Sequence, residues 1–125
     1  MDWISVDVES DNSSPANGSM IAIGAVAVHD FSKTFHGLLK PRMSEYNPDA
    51  LAVSKFTREQ TMAFDDPYKV MKEFKEWLSQ FEKPAFLSDN NGFDWQWINF
   101  YFDLFNIKNP FGHSSRNLSD IFKGM

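Results

Sequence analysis

Two acidic residues near the start of the chain, Asp7 and Glu9, have a spacing that could create a metal site. They close a short apolar segment, residues 3–9, whose composition is typical of a β-strand. Residues two apart in a strand point to the same face, so the two carboxylates would lie side by side. Such a pair repels unless a cation neutralises it, and oxygen ligands without thiolates suit Mg²⁺ or Mn²⁺. The alternative is a solvated strand end, because about 0.5 copies of Asp-x-Glu are expected by chance in this composition.

A third acidic residue, Asp94, lies in the segment Asn90-Asn91-Gly92-Phe93-Asp94. This segment follows a short apolar strand and opens a helix that is apolar nearly all round. In open α/β sheets, ligand sites gather at the carboxyl ends of the strands. If the strand before Asp94 neighbours the strand that ends at Glu9, the three carboxylates converge. The alternative is an acid that merely interacts favourably with the helix dipole.

The elements that must position these side chains can be predicted from hydrophobic patterns. Three strands joined by short connections form an antiparallel meander, and the loop 10–19 between the first two is rich in Ser and Asn. Thr57 and Gln60 have the spacing of a capping box, and Asp66-Pro67 is a typical helix start. We predict strands at residues 2–9, 20–28, 33–40, 84–88 and 117–122, and helices at 57–64, 67–81 and 93–105. The fold class is therefore α/β, a mixed five-stranded sheet of three antiparallel strands and a β-α-β unit, flanked by helices.

Composition limits the possible functions. The 125 residues suit one domain, and 42% hydrophobic residues, including 13 Phe and 4 Trp, suffice for a core. The lack of cysteine excludes disulfides, thiolate zinc sites and a cysteine nucleophile. Without a signal sequence or a long apolar run, we expect a cytoplasmic protein that has no membrane partner. The net charge of −5 argues against nucleic-acid binding, although bound divalent ions would reverse the local charge.

The two motifs together, Asp7-Val8-Glu9 on a strand and Asn90 to Asp94 at a helix start, resemble the DEDD superfamily of 3′–5′ exonucleases. The predicted element order is similar to the ribonuclease H-like fold of that superfamily, which includes ribonuclease T and small bacterial and phage exoribonuclease-like proteins. The segment 107–120 also looks like this small branch. The resemblance implies that Asp7, Glu9 and Asp94 bind two divalent ions, Mg²⁺ or Mn²⁺, and hydrolyse phosphodiester bonds in single-stranded RNA or DNA. From it we expect RNA to be preferred over DNA.

The resemblance also implies residues that contact the 3′ end of the substrate. These are Ser10, at the start of the loop 10–19, and Phe56, Asn90 and Phe93. Phe56 or Phe93 could stack on a base of any identity, because every base has an aromatic face. The alternative for both rings is an ordinary position in the core.

The chain departs from the superfamily in its last motif, His-x-x-x-x-Asp or Tyr-x-x-x-Asp, which supplies a fourth acid and a general base. Neither His113, Tyr101 nor Tyr46 has an aspartate at the required distance, and His29 and His36 are assigned to ordinary polar positions. We therefore expect a single domain, residues 1–125, that is cut short at its C-terminus. Apolar surface left open in this way would favour a homodimer.

Two other functions are compatible with the sequence. A catalytically silent module of the same fold would bind nucleic acid or a protein without turnover, as the missing motif suggests. A general α/β interaction domain with scattered surface acids would explain the negative charge most simply.

Overall fold

A computed structural model describes residues 1–112 and, for the backbone, residues 115–117. The strands form one sheet in the order β3-β2-β1-β4-β5, with β1 antiparallel to β2 and parallel to β4. The predicted mixed α/β class, with a meander followed by a β-α-β unit, is confirmed. The elements are β1 (Asp2–Ser10), β2 (Met20–Ala27), β3 (Asp30–Leu38), α1 (Pro48–Ser54), α2 (Arg58–Met62), α3 (Pro67–Leu78), β4 (Pro84–Ser88), α4 (Asn91–Leu104) and β5 (Ser115–Asn117).

The core lies between the sheet and the two long helices, α3 and α4. Ile4, Val6 and Val8 alternate along β1 and point into it, as the period of a strand requires. The two helices meet through the rings of Phe74 and Phe102, which stack with centroids 6.0 Å apart. Burying a large apolar side chain stabilises the fold by about 1.5–3 kcal/mol, so this aromatic layer holds the helices firmly on the sheet.

The helix starts agree with the sequence predictions in part. The capping box is confirmed, because the Thr57 hydroxyl accepts from the Gln60 amide and the Gln60 side chain accepts from the Thr57 amide. Asp66 occupies the N-cap of α3 but forms no capping hydrogen bond, so the fixed φ of the following proline is what favours this start. Helix α1 was not predicted. It starts at Asn47, whose side chain accepts from two backbone amides.

Two local features of the sheet differ from the prediction. The sequence suggests a bulge or close packing at Gly24 in the middle of β2, but Gly24 pairs in register with Asp7, so no bulge lies there. The irregularity in this pair of strands falls between Glu9 and Ser10 instead, where the pairing passes from Ala22 to Met20 and leaves the extra residue on β2. The last strand overlaps the predicted range 117–122 only at Asn117, and residues 118–122 lie outside the described residues. None of the helices in the described part of the chain is long and apolar enough to cross a membrane.

Candidate active site

The first and second acidic motifs meet where β1 extends past the end of β4. The pairing of these parallel strands stops at Ser5 and Leu87, so the backbone of β1 beyond this point needs other partners. The Val8 amide donates to Oδ1 of Asp94 across 3.1 Å. Because Val8 lies between Asp7 and Glu9, this hydrogen bond places the start of α4 directly beside the Asp-x-Glu motif. The convergence predicted from the sequence therefore occurs.

Asp94 is a buried acid, with 4% of its surface exposed. Burial is the largest influence on the pKa of its carboxyl and raises that pKa. The Val8 amide lowers the pKa, and so does the Ser88 hydroxyl, which lies nearby although it forms no hydrogen bond of normal geometry. The charges of Asp7 and Asp89 raise it again. The net effect is a raised pKa, so the fold disfavours the ionised form of the Asp94 carboxyl relative to the protonated form.

Glu9 belongs to the same electrostatic cluster. Burial raises the pKa of its carboxyl, and the negative charges of Asp7 and then Asp94 raise it further. Asp7 itself is exposed, while Val6 and Val8 on either side of it are buried. Asp7 and Glu9 therefore share the side of β1 opposite these two valines, as predicted.

The chemistry of the cluster fits a hard divalent cation, because every candidate ligand atom is a carboxylate oxygen and the like charges repel. The arrangement is not a closed cage. Within residues 1–112, no three acidic, histidine or cysteine side chains are grouped so that they would hold a metal ion by themselves. The assignment of Asp7, Glu9 and Asp94 as ligands of two ions therefore stays a prediction.

A cavity of about 410 Å³ opens beside Glu9. Its walls come from the end of β1, the loop after it, α1 and the residues around the start of α4. Three of the four residues predicted to bind substrate, Ser10, Asn90 and Phe93, line it. The fourth, Phe56, is not among its lining residues: its ring packs edge-to-face on Phe64 with centroids 5.1 Å apart. This placement agrees with the alternative that Phe56 is a packing residue.

Asp11 is a functional candidate that the sequence reasoning missed. Continued alternation after Asp7 and Glu9 would put it on their face as a fourth acid. Strand β1 ends at Ser10, so the alternation does not extend to Asp11, and the Asp11 side chain is fully buried instead. Its carboxylate accepts from the Ser19 amide at 2.6 Å and forms an ion pair with Arg58 at 2.9 Å. Both oxygens are thus occupied by protein donors.

The sequence is 34% identical over 128 residues to the 3′–5′ DNA exonuclease Cap18 of Escherichia coli, in an alignment that covers 98% of this chain and 68% of that protein. The chain belongs to the DEDD superfamily of 3′–5′ exonucleases. No protein-family model matches it. The superfamily recognised from the two motifs is therefore confirmed.

Solved exonuclease structures share the fold. The nuclease domain of 3′hExo, a DEDDh family member bound to rAMP, superposes with a TM-score of 0.78 at 18% identity, over 99% of this chain and 70% of that one. Product-bound exonuclease I gives a TM-score of 0.77 at 16% identity, over 98% of this chain. The match spans only 31% of exonuclease I. At these identities the likeness shows the ribonuclease H-like fold alone.

The comparisons correct one expectation and leave others as predictions. A preference for RNA is not supported, since the relative with the higher identity is named as a DNA exonuclease. The homodimer and the cytoplasmic location stay predictions.

Proposed function

We propose that this exonuclease-superfamily chain hydrolyses single-stranded DNA from its 3′ end, with Asp7, Glu9 and Asp94 holding Mg²⁺ or Mn²⁺. The observation that carries the proposal is the hydrogen bond from the Val8 amide to Asp94, because it brings both acidic motifs to one edge of the sheet. The choice of DNA rests on Cap18, which is named a DNA exonuclease. The choice of a single strand is supported by exonuclease I of E. coli, a structure of the same fold solved with a dT13 oligonucleotide.

Each part of the site has a distinct task in this proposal. Divalent ions in such sites stabilise the negative charge of the scissile phosphate and make water more acidic. Asp94 is the fixed ligand, because burial and the Val8 amide hold its carboxylate in place. Asp7 and Glu9, which are more exposed, complete the ligand set from the adjoining strand.

The cavity beside Glu9 would receive the terminal nucleoside. Its volume of about 410 Å³ lies within the range of about 300–1,000 Å³ that is usual for small-ligand sites. Phe93 offers a half-buried ring for stacking on the base, and Asn90 offers an exposed amide for a hydrogen bond. The lining contains no Lys or Arg, so it suits the sugar and base better than a phosphate.

The test is digestion of 5′-labelled single-stranded DNA and of RNA of the same sequence, with Mn²⁺ and with EDTA. We expect a ladder of shortened DNA that EDTA abolishes and that Asp94→Asn does not produce. Asp103→Asn is the matched control, because Asp103 is an exposed acid on the same helix. Activity that survives in Asp94→Asn would refute the ligand assignment, and faster loss of RNA than DNA would refute the substrate.

A second function, binding without turnover, is favoured by one observation. Among the side chains of residues 1–112, no group of three acidic, histidine or cysteine residues would hold a metal ion by itself, which favours binding over hydrolysis. Fluorescence anisotropy with the same DNA separates the two cases. Binding that requires Mn²⁺ but leaves the DNA intact would establish the silent module, whereas neither binding nor digestion would refute both functions.

A further inference from the structure

Arg58 contacts both the loop after β1 and the segment before α1, the two parts of the chain that flank the cavity. It is the first residue of α2, and its guanidinium group forms the ion pair with Asp11. The other arm of the group donates to the backbone carbonyls of Met43 at 3.0 Å and Ser44 at 3.3 Å. The guanidinium plane lies over the ring of Tyr46, 4.3 Å from its centroid. One side chain thus joins α2 to the loop after β1 and to the segment before α1.

Asp11 extends this connection to the wall of the cavity. Its backbone carbonyl accepts from the amide of Asn47, the residue that caps α1, at 2.8 Å. Its carboxylate also accepts from the Ser19 amide at the far end of the loop. The cavity is lined on these two sides by Asn12 and Asn47, each a neighbour or direct partner of Asp11. A shift of Asp11 would therefore move both walls at once.

We propose that the pair of Arg58 and Asp11, here named the Arg58–Asp11 clamp, positions the walls of the cavity for the 3′-terminal nucleoside. This inference rests on the proposed function and adds residues that touch neither the nucleic acid nor the acidic cluster. The clamp fixes the loop after Glu9 and the start of α1 at a set separation. A free 3′ end then enters a cavity that is already formed, which lowers the free-energy cost of binding.

The chemistry of the pair suits positioning better than stabilisation. A buried ion pair often contributes no more stability than apolar residues of the same volume. An arginine nevertheless holds its partners in a defined orientation, because its planar guanidinium group donates to several acceptors at once and stacks on an aromatic ring. Arg58 makes both kinds of contact. A lysine at this position would keep the charge but lose the fork and the stacked plane.

The test compares binding by four proteins: the native chain, Arg58→Lys, the double variant Asp11→Asn/Arg58→Met, and Lys69→Met. The double variant removes both charges together, so no unpaired charge is left buried, and asparagine can still accept from the Ser19 amide. Lys69→Met is the matched control, since it removes one positive charge from a side chain that is 60% exposed. The probe is a 5′-fluorescein thymidine oligonucleotide with hydrolysis-resistant 3′-terminal phosphorothioates, with Mn²⁺. Competitors carry either a free or a phosphorylated 3′ end.

We expect the double variant to bind the free 3′ end about tenfold to a hundredfold more weakly and Arg58→Lys to lie in between. We expect the native chain to prefer a free over a phosphorylated 3′ end, because the cavity lining has no Lys or Arg. Both variants should lose this preference, whereas a purely structural role of the clamp would leave it intact. The thermal shift with Mn²⁺ alone should persist in both. Native affinity and preference in a folded double variant would overturn the clamp. Should that variant not fold, the same result for Arg58→Lys would overturn it. If the native chain binds no 3′ end, the proposed function and the clamp both fail.

Discussion

Asp94 carries a negative charge in a place where the protein itself disfavours it. Burial raises the pKa of its carboxyl, and the neighbouring acids add to this effect. A carboxyl whose pKa is raised by folding binds a proton more tightly in the folded protein than in the unfolded chain. Its contribution to stability therefore falls as the pH rises above the unfolded value near 4. Retaining such a group makes physical sense if a cation compensates for the charge.

The first prediction is that Asp94→Asn makes the metal-free protein more stable at pH 7 to 8. Asparagine keeps an oxygen that accepts from the Val8 amide while it removes the charge. The gain in the free energy of unfolding should shrink as the pH falls, because the raised pKa lets the native carboxyl of Asp94 take up a proton before that of the unfolded chain. Urea unfolding with EDTA at several pH values measures this gain.

The same variant should lose the stabilisation that Mn²⁺ gives to the native protein, because a ligand stabilises only the state it binds. Asp103→Asn should keep that thermal shift. A native protein that shows no shift with Mn²⁺ would contradict the metal assignment.

Tyr101 of α4 contacts the start of β2, where the loop after β1 ends. It is fully buried, and its hydroxyl oxygen accepts from the amide of Met20, the first residue of β2, at 2.9 Å. We predict that Tyr101→Phe lowers the free energy of unfolding by about 1–3 kcal/mol, because the buried amide is left without an acceptor. Tyr68→Phe, at an exposed position, should change it by less than about 0.5 kcal/mol. Equal effects in the two variants, measured by urea unfolding, would contradict this account.

Only the part of the candidate site that follows from strand alternation and from the order of the two motifs could be predicted from the sequence. The convergence of Asp7, Glu9 and Asp94 could be predicted because regular elements set the positions of these residues. The burial of Asp11 could not be predicted in this way, because β1 ends at Ser10 and strand alternation no longer sets the direction of the next side chain. Its partner Arg58 lies 47 positions away along the chain, and no local pattern links the two.

At the scale of elements, the positions of helices could be predicted from the sequence where one whole side of the helix is buried in the core. Helices α3 and α4 each bury several large side chains at helical spacing, so their positions were predicted within a few residues. Helix α1 buries Leu51 alone and has no apolar stripe to detect. The sequence Asn47-Pro48-Asp49 at its start is a cap and a first-turn proline that could have revealed it.

Close packing of the sheet against α3 yields the third prediction. A Cβ added at Gly37 of β3 would lie 2.6 Å from Cγ1 of Val70, and a Cβ at Gly92 of α4 would meet nothing within 4 Å. Gly37→Ala should therefore lower the free energy of unfolding by about 1–3 kcal/mol through overpacking. Gly92→Ala should raise it by about 0.5–1 kcal/mol, because alanine favours a helix. Urea unfolding of both variants checks the signs, and a stabilised Gly37→Ala would show that β3 and α3 are less tightly packed.

At the scale of the whole molecule, the charge distribution sets how the protein can bind nucleic acid. The chain carries a net charge of −5, and the cavity lining has no basic residue. Two guanidinium groups that contact the loop after β1 are already engaged: Arg42 donates to the Pro15 carbonyl and lies over Phe100, and Arg58 is in the clamp. Under the proposed function, the described residues would bind a strand through divalent ions and contacts to the terminal nucleoside, with few phosphates neutralised by protein cations.

The fourth prediction is a shallow dependence of DNA affinity on monovalent salt. Each phosphate neutralised on a single strand contributes a slope of about −0.7 to the plot of log affinity against log salt. With one or two such contacts, raising KCl from about 50 to about 200 mM should weaken binding about threefold to sevenfold, whereas a basic groove with six contacts would lose about 300-fold. Anisotropy with the phosphorothioate probe at constant Mn²⁺ measures the slope. A steep loss would mean that lysines on the outer surface of the helices, remote from the acidic cluster, hold the strand, and the cavity beside Glu9 would then not be its main binding site.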